Sequence, residues 1–254
     1  MIKNKYEDIF KFAQEVLDNN IKLLNGQNAD SLPKSVVLYH YRRAFSLLYA
    51  IKILCEQGFA TEGMVLLRSL LNLYINVKWL TTGNIDSRMK RFVDFEIIIR
   101  YRGIKTLREL GEVSKEEGDK ELEKMRERYE KIKKKYNLKG NPRYWRWSGK
   151  SIRQMAKEVS LIKEYEIIYT YLSEREHTSP VAARDYLDNS RRGYTMVRAG
   201  PSNYKIDMVI FPALGYFLNV KEIALDTFDM DLTSLKIERQ ELSKLENKYW
   251  GQKG

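Results

Sequence analysis

The chain has 254 residues, 43% of them hydrophobic and 31% charged, and its 45 Lys and Arg outnumber 34 Asp and Glu for a net charge of +11. Five prolines and fourteen glycines argue against a turn-rich all-β design, and a single cysteine excludes an internal disulfide. The pI near 9.4 suits polyanionic partners, nucleic acid among them, although a diffuse basic surface without a partner has the same composition.

In chain order, residues 5–25 repeat apolar side chains at helix period, with Ile9, Phe10, Phe12, Ala13, Val16, Leu17, Ile21 and Leu24 inward. The polar stretch NGQNADSLPK breaks that helix, and Pro33 suits the first turn of the next, which runs from Ser35 to about Gln57 with Gly58 as its stop. Thr61 is a candidate N-cap for a third helix ending at Leu80. These two helices are apolar almost all round, which places them at the centre of a bundle. Ile85 to Leu110 reads as one helix with Phe92, Phe95, Ile98, Ile99 and Tyr101 inward.

Residues 114–138 then form a highly charged helix with opposite charges three or four apart and a thin seam of Leu122, Met125, Tyr129, Ile132 and Tyr136. KGNPRYWRWSGK is irregular, 151–159 and 162–177 are helical, and GYTMVRAGPSNYK is a loop or short hairpin. Residues 205–228 and 231–247 close the chain as helices. The fold class expected is all-α: a multi-helix bundle of about eight to ten helices. It forms one domain over 1–254, with 114–138 as a projecting or outer charged arm. No run of about 18 apolar residues occurs, and the N-terminal stretch has no apolar signal core, so no membrane span and a cytoplasmic location are expected.

Chemistry concentrates in two helices. Arg68 and Asn72 lie four apart in VLLRSLLNLYI, where an arginine needs a carboxylate or an anion, Glu174 or Asp94 being the candidates within the chain. YTYLSEREHTSP carries Ser173, Glu174 and His177 within one turn, and an imidazole there suits proton transfer. A buried histidine that cross-links helices has the same sequence signature. Ser173 lacks nucleophile-elbow glycines, and the Glu174–His177 spacing of di-iron bundles has no second copy, since valine stands three residues before His40. His40 sits beside Arg42 and Arg43 on a core helix. Trp145, Trp147 and Lys150, with Arg143 and Arg146, interleave rings and cations as base-stacking platforms do, and as tryptophans packing a loop also would. No Gly-rich phosphate loop, zinc cysteine cluster or dinucleotide fingerprint occurs, so neither cofactor nor metal is expected.

Two blocks, GFATEGMVLLRSLLNLYINVKWL with RFVDFEIIIRYR and WSGKSIRQMAKEV with YEIIYTYLSEREHTSP, resemble a bacterial family known as domain of unknown function 5677 over about residues 35–190. Asn72 stands where that family is expected to carry glutamate. The family is similar to the HEPN helical superfamily, whose members include RNA-cleaving toxins and antiphage effectors. The resemblance therefore implies a defence or toxin protein acting on or binding RNA, RNA rather than DNA. In a metal-independent cleavage, His177 would move the proton, and Arg68 or Arg184 would stabilise the phosphorane charge. Asn72, Ser173, Glu174, His40, Trp145, Trp147 and Lys150 would contact substrate. The superfamily's pattern of an arginine, four to six residues and then the histidine is not met at His177, whose positions four to seven back are Ser173, Leu172, Tyr171 and Thr170. The alternative is a non-catalytic interaction subunit; a partner protein of a defence system and a second copy of the chain complete the candidate partners.

Overall fold

The computed structural model describes residues 5–24, 27–176, 179–191, 194–197 and 200–251. The fold is all-α apart from one small ribbon, and the chain divides into two compact units, residues 1–83 with 155–254 and residues 84–154.

In the first unit α1 (Glu7–Leu24) buries Ile9, Phe10, Phe12, Ala13, Val16 and Leu17 as its periodicity predicts, whereas Ile21 is 45% exposed. Helix α2 (Leu32–Glu56) starts three residues earlier than its apolar run because Ser31 caps it, accepting from the Lys34 N–H, and Pro33 occupies the first turn. Helix α3 (Ala60–Leu80) has no side-chain cap, so the expectation for Thr61 fails. The cap position is Phe59, and the short connection is closed by backbone bonds from Phe59 N to Leu54 O (2.7 Å) and from Gly63 N to Phe59 O (3.1 Å). Gly58 (φ 81°) makes that turn in the left-handed region.

Leu48 and Ile51 of α2, Leu67, Leu70 and Leu71 of α3, and Phe211 and Phe217 of α11 (Ile206–Thr227) are fully buried, and the three helices pack on one another. Each such side chain contributes about 1.5–3 kcal/mol by leaving water. Helix α11 is long and apolar enough to cross a membrane by length and composition, but 61% of its apolar window is buried inside the protein, and it carries a buried Lys221. Helix α12 (Thr233–Trp250) closes the unit and meets α1 where Lys248 and Tyr249 bind Asp8.

In the second unit α4 (Ile85–Asp94), capped by Asn84, bends at Phe95 into α5 (Glu96–Glu109). The bend shifts the phase of the apolar stripe, so Ile97 is buried in place of the expected Ile99, which is 55% exposed. Helix α6 (Lys115–Lys135) begins at a capping box, in which Ser114 accepts from the Glu117 N–H and donates to the Glu117 carboxylate. Its thin seam is a true core contact: Met125, Tyr129 and Ile132 cluster with Phe95, Ile97 and Ile98. Tyr101 stacks on Tyr129 with ring centroids 4.0 Å apart. The charged helix is thus half of a helix pair whose apolar side is covered by α5.

Ser151 and Gln154 form a second reciprocal cap at the start of α7 (Ile152–Glu158). The segment that follows is α8 (Ile162–Glu164), a π-helical turn over Tyr165–Tyr169, and α9 (Thr170–Glu176). Helix α10 (Pro180–Ala183) is capped by Ser179. Then β1 (Leu187–Arg191) and β2 (Tyr194–Val197) pair antiparallel, Leu187 opposite Val197, with an irregularity between Asp188 and Arg191.

Candidate functional site

Arg68 sits on the apolar α3, and α9 supplies what its guanidinium requires. Its Nε donates to Ser173 Oγ at 2.9 Å, Nη2 donates to the Tyr169 hydroxyl at 2.9 Å, and Nη1 pairs with the Glu176 carboxylate. The guanidinium carbon also lies 4.6 Å from the centroid of the Tyr169 ring, which stacks on Tyr165 at 4.7 Å. Tyr169, Ser173 and Glu176 stand at i, i+4 and i+7, one face of the helix, and the π-helical turn that ends at Tyr169 sets the phase of that face. The arginine's carboxylate partner is Glu176, in place of the two candidates named from sequence. Glu174 is exposed, and Asp94 binds Lys135 and the Tyr136 hydroxyl (2.8 Å).

Ser173 donates its own proton to the Tyr169 carbonyl (2.9 Å) and accepts from Arg68, so its hydroxyl is an internal link rather than a nucleophile. Asn72 does not share Arg68's partners; its Oδ1 accepts from the Asn76 amide at 3.1 Å one turn along.

The opposite face of α9 makes a second charged group. Asp185, 4% exposed, accepts from Arg175 Nε at 3.0 Å and also pairs with Lys205. Arg175 lies over the Tyr171 ring at 3.5 Å, and Lys205 donates to the Tyr171 hydroxyl at 2.9 Å. Burial works against the Lys205 charge, but the bonds to Asp185 and Tyr171 outweigh it and raise its pKa above the ordinary lysine value. Two cations thus share one carboxylate. Tyr186 beside them donates to Glu62 of α3 (2.9 Å), and burial, then that carboxylate, push its phenol up to about 12. Residues Tyr169, Glu176, Tyr171, Arg175, Asp185 and Lys205 escape a reading of sequence, yet the paired i, i+4 spacings of YTYLSERE hold the signal.

The remaining candidates are placed as follows. His177 lies outside the described residues, directly after Glu176. Arg184 is exposed at the end of α10. His40 is buried, and its Nδ1 lies 2.7 Å from the Val36 carbonyl, which can only accept; the proton therefore sits on Nδ1. Burial, only partly offset by that bond, lowers its pKa below 6.5. It is buried with the α2 core, away from the Arg68 clamp's acceptors. Trp145 donates to the Lys139 carbonyl at 2.7 Å, Trp147 meets Phe92 edge-on at 5.0 Å, and both rings pack on the α5–α6 cluster. Their first role is to close that core. The Lys150 backbone closes a turn through Ser148, donating to its Oγ at 3.1 Å. Cys55 is buried, and burial with the Glu56 charge pushes its thiol up to about 12, far from a reactive thiolate. Among the described residues no group of three His, Cys, Asp or Glu side chains is placed to hold a metal ion.

No curated protein and no solved structure matches the chain. The profile of a family of unknown function (DUF5677) matches residues 34–194, a span that holds the Arg68 clamp and Asp185 and covers more than half of the chain, and the protein belongs to that family.

Proposed function

We propose that the protein is HEPN-like, of bacterial defence or toxin type, and acts on RNA in the cytoplasm by metal-independent cleavage. The observation that carries this reading is the clamp from core helix to helix end: Arg68 grips Ser173 and Glu176, and the next residue in the chain is His177. In this reading Arg68 is a positioning residue. His177 takes the proton of a ribose 2′-hydroxyl as that oxygen attacks the phosphorus, the 5′-oxygen leaves and takes a proton from solvent, and a 2′,3′-cyclic phosphate remains. The exposed Arg184 is the cation offered to the phosphorane.

Incubating the purified protein with total RNA in the presence of a chelator tests this. Cyclic-phosphate ends should accumulate, His177→Ala should abolish them without moving the melting temperature, and Arg68→Ala should lose both cleavage and stability. A wild-type protein that cuts no RNA with or without divalent ions overturns catalysis. The second reading is a non-catalytic subunit that binds nucleic acid or a partner protein. It is favoured by the inward commitment of Arg68 and Ser173 to one another, and it predicts salt-sensitive RNA binding without cleavage.

A further inference from the structure

The outward side of α2 carries rings and cations that the α3–α9 clamp does not use. Tyr39, Arg42, Arg43, Ser46 and Tyr49 are all exposed, and at 3.6 residues per turn they fall in a stripe about 120° wide. Ser35, Leu38, Tyr39, Arg42, Arg43 and Ser46 line an open groove of about 560 Å³. The two serine hydroxyls donate to the carbonyls of Ser31 (2.9 Å) and Arg42 (3.2 Å), so the charge of the groove comes from its two guanidiniums.

Some arginine side chains are committed to protein acceptors: Arg68 on α9, Arg102 on the Pro142 carbonyl, Arg175 on Asp185. Neither Arg42 nor Arg43 has a side-chain partner among the described residues. Tyr39 is 58% exposed, its ring fixed edge-on against His40 at 5.0 Å, and Tyr49 is 47% exposed two to three turns further on.

We propose that this groove binds single-stranded RNA, bases stacking on Tyr39 and Tyr49 and phosphates bridging to Arg42 and Arg43. Rings with arginines between them are what a flexible strand requires, since every base offers a face and every nucleotide a charge. The charge balance speaks against a second copy of the chain as the occupant. A two-fold pairing through this face would set Arg42 and Arg43 near their own counterparts on a chain of net charge +11. The inference rests on the reading that the protein engages RNA, and it places the strand on a surface distinct from the clamp.

The test is fluorescence anisotropy with a labelled 20-nucleotide poly-uridine strand and the full chain, over a salt series, with molar mass measured by light scattering. Wild-type protein should bind, and Arg42→Glu with Arg43→Glu should weaken binding roughly tenfold or more and flatten the slope of log affinity against log salt by about two. Tyr39→Leu should weaken single-strand binding while leaving binding to a blunt RNA duplex unchanged. Arg42→Gln with Arg43→Gln, which leaves no new charge to disturb folding, should reproduce the charge reversal in smaller measure. Wild-type binding that all three variants retain overturns this inference and leaves the functional reading standing. Absence of any wild-type binding removes both. A dimer that the arginine variants split, with RNA affinity unaltered, identifies the face as an interface between copies and overturns the inference.

Discussion

At Arg68 a single side chain meets three acceptors of different kinds, a hydroxyl, a phenol and a carboxylate, and they are not equal in weight. The carboxylate side of the pair is 33% exposed and the arginine side 20%, so solvent screens the ion pair, whereas Ser173 and Tyr169 are partly buried. Glu176→Gln should therefore cost less than about 1 kcal/mol in urea unfolding. Arg68→Lys should cost about 1–3 kcal/mol, because an ammonium cannot reproduce the planar fork that donates to the Ser173 and Tyr169 oxygens together. Equal losses in the two variants would show that charge, not geometry, holds α9. His40 supplies one pH dependence of stability. Burial sets its folded pKa below the unfolded 6.5, so in the interval between the two values the unfolded chain binds the proton and the native state does not. Stability should accordingly fall as pH drops below about 6.5. In His40→Leu that part of the slope should vanish, and since the other histidine is common to both proteins, the difference between their urea midpoints from pH 8 to pH 5 isolates it.

At the scale of elements, α11 and α12 are joined by an ion pair placed inside the apolar core. Lys221 Nζ donates to both Glu238 oxygens, at 2.9 and 2.7 Å, with side chains 3% and 8% exposed. Removing one partner strands a charge away from water; removing both replaces desolvated ions with packing. Lys221→Met alone should cost about 3–5 kcal/mol, and adding Glu238→Leu should recover most of that. The two single variants and the double variant, unfolded in guanidinium, measure the coupling, and additive losses would refute it. Helix α9 works differently, joining two charged groups through opposite faces, Tyr169, Ser173 and Glu176 to Arg68 and Tyr171 with Arg175 to Asp185. The i, i+4 pairs were visible in the sequence, but the π-helical turn that sets their phase was not, because no residue between Tyr165 and Tyr169 marks the widened backbone.

For the molecule as a whole, the two compact units have separate cores, one built on α2, α3 and α11 and the other on α5 and α6. Ile98→Ala removes a fully buried side chain from the smaller core and should cost about 2–5 kcal/mol there. Hydrogen exchange should then quicken in α5 and α6 while α11 amides keep their protection; equal acceleration in both would show one cooperative unit. Much of this organisation was legible in advance: helix periods, Pro33 and Gly58 are local signals, and local signals mark where helices start, stop and turn an apolar face inward. The bend at Phe95 was not, since the backbone of Glu96–Glu109 continues helical and only the packing of Ile97 and Ile98 reveals the change of phase. By itself the sequence determined the all-α class, the buried central helices and the presence of an arginine that had to be paired. Tertiary structure alone decided that its partners are Tyr169, Ser173 and Glu176, about a hundred residues away, because which acceptor meets a buried donor depends on helix packing and not on spacing along the chain.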